Sequence, residues 1–188
     1  TGAQMFRLAL SPSETCMKTA DSALTFSSMQ ADPKDAKGPC GWTVARDVLG
    51  SEEGLLSAEA TMQCPLAIGT YIWIREIDEL ARKNLGQPLK TVHHYGTYSC
   101  RQQKGNSSKR WSEHAFANAF DVAAFELEDG QRISVLKHWN GGTRKQKKFL
   151  RGVHAQACSI FRVTLGPDYN AAHKDHFHVD MGPTSACK

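Results

Sequence analysis

The sequence predicts an α+β fold, with a central antiparallel sheet flanked by helices and stapled by disulfides. Three observations predict it. Strand-like runs crowd the region after Leu89, helical patterns lie mainly at its flanks, and six cysteines are spread along the chain without a C-x-x-C pair. Strands and helices segregated in this way suit α+β layers, not the strict alternation of a parallel sheet. An even count of well-separated cysteines reads as disulfides formed in an oxidising compartment, so a periplasmic or secreted protein is expected.

Each element has a local reason. The stretch from Asp32 to Gly41 is rich in Pro, Gly, Lys and Asp and reads as a loop. It divides an N-terminal arm, residues 1–38, from the main domain, residues 39–188. From Cys64 to Leu85, Ala67, Ile74, Ile77, Leu80 and Ala81 recur near helical spacing, and Gly86 and Pro88 end the segment. Leu89 to Tyr98 is rich in Val, Thr, Tyr and His and reads as a strand, and Cys100 to Trp111 as a polar loop. Ala119 to Leu127 and Ile133 to Trp139 form an expected hairpin about the Asp129-Gly130 turn. Thr143 to Phe161 carries the best helical stripe: Phe149, Leu150, Val153, Ala157, Ile160 and Phe161. A short strand from His176 to Met181 closes the domain. The six cysteines are expected to pair as Cys40–Cys64, Cys100–Cys158 and Cys16–Cys187.

Composition narrows the function classes. The chain has 188 residues, enough for one domain with an extension, and 40% are hydrophobic. The longest apolar stretch, around Leu66 to Ile74, is broken by Gly69 and Thr70. A membrane span needs about 20 apolar residues, so none is expected. The net charge of +4 permits an anionic polymer as partner without demanding one. Arg144, Lys145, Lys147, Lys148 and Arg151 read as the solvated face of an amphipathic helix rather than a polyanion site. Trp42, Trp73, Trp111 and Trp139 are core candidates, with Trp111 also placed to line a groove.

The chemistry-bearing residues fall in two clusters. Ser112-Glu113-His114 is followed seven residues after the histidine by Asp121, and His173-Lys174-Asp175-His176-Phe177-His178 lies near the end. On a strand, side chains two apart share a face. His176 and His178 can therefore face one site while Phe177 and Val179 face the core. Asp121 sits in an apolar run with Phe120, Val122 and Ala124, where a carboxylate is costly unless paired or bound to a metal. Two neutral imidazoles and one carboxylate suit zinc with an open coordination position, the catalytic arrangement. The plainer alternative is a set of satisfied core histidines with a turn-forming aspartate.

The stretch Ser112-Glu113-His114-Ala115-Phe116-Ala117-Asn118-Ala119-Phe120-Asp121 resembles the signature of the bacterial extensin-like C-terminal domain family. Further matches are Tyr98-x-Cys100-Arg101, Phe149-Leu150-Arg151 with Cys158 and Phe161, Leu165-Gly166-Pro167-Asp168-Tyr169-Asn170, and His173-x-Asp175-His176-Phe177-His178-x-Asp180. Together they cover about residues 40 to 182. That family in turn resembles a broader group containing lysostaphin-type enzymes, D-alanyl-D-alanine metallopeptidases and the hedgehog signalling domain. The resemblance implies a sheet carrying Zn2+ on His114, Asp121 and His178. It implies catalytic roles for His176, Asp175 and His173, with His176 orienting or deprotonating the attacking water. Arg101 would approach a substrate carboxylate or the oxyanion. Ser112 is grouped with it at the substrate side and would support His114. The implied activity is a metallopeptidase acting on peptidoglycan, with the murein stem or cross-link as substrate; no nucleic acid partner and a monomeric state are expected as well.

Rival readings need the same residues in other roles. A zinc amidase cutting between glycan and stem would use the same site, and either activity could be delivered as an antibacterial effector. A non-catalytic cell-wall-binding module would not need His173, Asp175 and His176. His138-Trp139-Asn140 superficially resembles a nuclease histidine motif, but the better-spaced histidines lie elsewhere. His93 and His94, on a strand next to Tyr95, read as surface histidines, with an approach of one of them to the cleft as the alternative. His138 and His154 have no partner pattern and read as structural.

Overall fold

A computed structural model describes residues 26–29, 40–41, 45–48, 55–103 and 110–188. Cys16, Trp42 and most of the expected arm and Asp32 to Gly41 loop fall outside the described residues. Among the described residues the first elements are three short strands, β1 (Phe26–Met29), β2 (Ala45–Val48) and β3 (Ala60–Gln63), paired antiparallel in that order. Helix α1 (Cys64–Leu85) follows, and its bounds are those the periodicity predicts. Pro65 suits its first turn, where the missing N–H is not needed. Gly86 ends it with φ 76°, its N–H donating to the carbonyls of Ala81 and Arg82.

The main sheet contains β4 (Leu89–Gly96), β5 (Ala119–Leu127), β6 (Arg132–Ser134), β7 (Val163–Leu165), β8 (Phe177–Asp180) and β9 (Ala186–Cys187), in the order β4-β5-β8-β7-β9 with β6 also on β5. β5 is the spine. β4 covers one of its edges, while β8 and β6 share the other, at Ala119–Val122 and Ala124–Glu126. Ala123 has no partner in β4, because Val122 pairs with His94 and Ala124 with His93. That extra residue shifts the side-chain phase. Phe120 and Val122 before it, and Phe125 and Leu127 after it, all reach the core. This is why β5 reads as an almost continuous apolar run.

Helices α2 (Val135–Gly141) and α3 (Arg144–Ile160) complete the fold. α3 opens with a capping box in which Thr143 and Gln146 satisfy each other's main-chain N–H. It packs on α1, where the Trp73 indole donates to the Val153 carbonyl at 3.0 Å. Phe125 meets Phe149 edge-on, and Trp139 meets Phe177, so the helices cover one face of the sheet. Arg144, Lys145, Lys147, Lys148 and Arg151 are all exposed, as expected of a solvated helix face. Among the described residues no helix is long and apolar enough to cross a membrane.

Three expectations are corrected. The second hairpin strand stops at Ser134, whose hydroxyl accepts from the Lys137 N–H, and residues 135–141 turn helical. The sheet is not wholly antiparallel, because β9 joins β7 in parallel. The disulfides are Cys40–Cys100 and Cys158–Cys187, which overturns all three expected pairs. Gly41 donates to Ala115 and Ser99 to His114, so both loops meet on one turn and Cys40 meets Cys100 there. Cys158, in the last turn of α3, faces β9. Cys64 is also disulfide-bonded, and no described cysteine is free.

Candidate metal centre

Asp121 and His178 are direct partners in the register of β5 and β8. Phe177 and Val179 are fully buried in the core, so His176, His178 and Asp180 project to the face turned away from the helices. His114 arrives from a short 3-10 turn, Glu113–Phe116, just before β5. Ser112 caps that turn by accepting from the His114 N–H. The turn ends at Ala117 with φ 51°, a left-handed conformation that costs a non-glycine residue about 1 kcal/mol. Gln63 holds the turn in place, its side chain donating to the Phe116 carbonyl and its N–H to that of Ala117.

The donor atoms converge. His114 Nε2 lies 3.1 Å from Asp121 Oδ2, His178 Nδ1 lies 2.9 Å from Asp121 Oδ1, and the two ring nitrogens are 3.2 Å apart. One donor atom from each of the three residues lies within 4.8 Å of the others. The outer nitrogens decide the tautomers. His114 Nδ1 is 3.0 Å from the Thr97 carbonyl, which can only accept, so that nitrogen carries the proton. His178 Nε2 is 3.0 Å from the Asp180 carboxylate, which likewise accepts. Neutral imidazoles held this way present bare nitrogens to each other and to Asp121.

Two lone pairs and a carboxylate at this spacing repel unless a cation stands among them. Without a metal that cation is a proton. Burial alone would lower the His178 pKa, but the bonds to Asp121 and Asp180 prevail and raise it to about 9. Burial would likewise raise the Asp121 carboxyl, yet the hydrogen bonds from His114 and His178 hold it far below the usual carboxylate range. A divalent ion fits the same donor set, with the outer hydrogen bonds orienting both rings.

The other predicted residues lie around this centre. His176 Nε2 is 3.7 Å from Asp121 Oδ1, and its Nδ1 is 2.9 Å from Asp175 Oδ1. The Tyr95 hydroxyl donates to the other oxygen of Asp175 at 3.4 Å, and its ring meets His176 edge-on. The His173 ring lies tilted against that of His176 and edge-on to that of His178, with Nδ1 2.8 Å from Asn170 Oδ1. Burial first, then the neighbouring His178 and His176, lower its pKa to about 4, so it stays neutral. Arg101 is close enough for its charge to act on His173. Ser112 is 6% exposed and turned onto the His114 amide, a supporting place rather than a substrate-facing one. His93 bonds Glu126 and His94 bonds the Ala58 carbonyl, so neither reaches the centre.

Sequence reasoning left three participants without a role. Asp180 was legible in principle as the third alternate residue after His176 and His178. Tyr95 lies beside His93 and His94 but carries no motif. The Thr97 carbonyl has no side-chain signature at all.

The fold and site define a mixed α+β domain in which two histidines and an aspartate from separate elements can hold one metal ion. The family model for the extensin-like protein C-terminus matches residues 14–188, and the chain belongs to that family. Neither a curated protein nor a solved structure matches it.

Proposed function

We propose that this chain is a zinc-dependent peptidoglycan hydrolase that cleaves a peptide bond in the murein stem or cross-link. One observation carries the reading. His114 Nδ1 and His178 Nε2 are taken up by outer acceptors, which turns His114 Nε2 and His178 Nδ1 towards Asp121 at 3.1 and 2.9 Å. Structural zinc sites close with four protein ligands, whereas three leave room for chemistry. When bound, zinc would polarise the scissile carbonyl and acidify the attacking water.

The remaining roles fall to the chain's own groups. Asp175 holds the Nδ1–H of His176, which leaves Nε2 bare and facing the centre to take a proton from the water. The same nitrogen then returns the proton to the leaving amine. Neutral His173, and cationic Arg101 whose charge acts on it, would serve the oxyanion or a substrate carboxylate. The oxidised cysteines support an extracytoplasmic setting. The resemblance to zinc peptidases of the lysostaphin and D-alanyl-D-alanine group supports peptidoglycan as substrate, and a monomer suffices.

Digestion of purified peptidoglycan with the zinc-loaded protein, read by mass spectrometry, tests this. New termini between amino acids are expected. Stems released whole from the glycan would make the enzyme an amidase instead, and no released fragment would reject a hydrolase.

A further inference from the structure

A second group of metal-type donors stands apart from that centre. His154 and Cys158 lie one turn apart on α3, Cys187 lies on β9, and one donor atom from each falls within 4.8 Å of the others. The two sulfurs are joined in a disulfide, so no thiolate is offered in the oxidised protein. The histidine is nevertheless set for a ligand. Its Nε2 is 3.0 Å from the main-chain oxygen of Lys188, which can only accept, so Nε2 carries the proton. Nδ1 is left bare, 3.9 Å from Cys158 Sγ. Ring contacts with Trp139 and Phe177 hold the imidazole in that direction.

We propose that opening the Cys158–Cys187 disulfide turns this cluster into a Cys2His site for a thiophilic divalent cation such as zinc. Reduction by a dithiol breaks the S–S bond, yields two cysteine thiols and leaves the reductant as a disulfide. A phosphine does the same with one water, becoming the phosphine oxide. Binding the cation releases one proton from each thiol, so two thiolates and the neutral His154 imidazole become the ligands. The sulfurs stay close after the bond opens, because the main chain on both sides of Cys187 is pinned. Ala186 donates to Arg162, Lys188 to Thr164, and Gly166 to Lys188, at 3.0, 3.0 and 2.8 Å. Cys187 is exposed, so a reductant can reach it. The C-terminal strand would thus be clamped to α3 in both redox states, by a covalent bond or by a metal.

Cobalt(II) distinguishes this site from the His114 centre, because only thiolate ligands give a strong near-ultraviolet charge-transfer band. The full-length protein is treated with a phosphine, opened disulfides are mapped by alkylation and mass spectrometry, and cobalt is titrated in. A saturable band is expected in the wild type and should vanish in the Cys158→Ser/Cys187→Ser variant. His154→Gln keeps both sulfurs, and losing a direct ligand should weaken binding by about tenfold or more, at least what losing a supporting partner costs. The proposal is overturned if the band persists without Cys158 and Cys187, or if His154→Gln binds as tightly as the wild type. Absence of a band in wild-type protein whose Cys158 and Cys187 are mapped as free thiols would overturn it equally.

Discussion

Asp180 decides which nitrogen His178 offers. Its carboxylate takes the Nε2 side at 3.0 Å, so Nδ1 faces Asp121. Asp180→Ala should therefore lower zinc affinity by about 10–100-fold, as for other partners that orient metal-bound histidines. Competition with a chelating dye measures this, and unchanged affinity would mean that the His178 ring is fixed by packing alone. Asp180 also accepts from the Gly182 N–H, so a thermal melt belongs beside the titration. His176 is a different case, since its Nε2 stands 3.7 Å from Asp121 and outside the tightest cluster. His176→Ala should keep its zinc while hydrolysis falls by about 10²–10⁴-fold, the usual worth of a general base. Zinc loss in that variant would make His176 a ligand. At this scale the sequence was readable wherever a side chain repeats at period two, as at His176 and His178. It was silent on the Thr97 carbonyl, because main-chain groups are common to every residue.

Elements were legible where their ends carry chemistry. Gly86 ends α1, and Thr143 with Gln146 opens α3, each where the pattern predicts. Thr143→Ala removes one half of the capping box and should cost about 1 kcal/mol in chemical denaturation. A loss within error would show that α3 is held by its buried stripe alone. The stretch from Ile133 misled because a strand run and a short helix present the same few apolar residues. Its Ser134 cap, not hydrophobicity, makes the switch. β9 was invisible, since two residues show no period. The phase shift at Ala123 hid the alternation of β5 without hiding the strand, because its apolar residues outnumber the interruption.

At the scale of the molecule, the site depends on long-range register. His114 and His178 are 64 positions apart and meet because β8 pairs with β5. Disulfide partners depend on the same topology, which local patterns do not encode. The charge at the site makes a prediction for the whole fold. The folded His178 pKa of about 9 lies above its ordinary value of 6.5. The stability it contributes is fully present below 6.5 and is lost as pH rises through 9. The melting temperature of metal-free protein should fall across that window, while the rise produced by zinc should grow, since the metal replaces the proton. A metal-free melting temperature that is flat or rising across this window would contradict the proton-for-metal account. The most direct test is zinc stoichiometry in wild-type and Asp121→Ala protein, measured by atomic absorption beside circular dichroism. One zinc per wild-type chain is expected, with none retained by a folded Asp121→Ala variant, because two imidazoles are too few to hold it. Full occupancy in well-folded Asp121→Ala protein, or no zinc in the wild type at saturating metal, would contradict the metal centre.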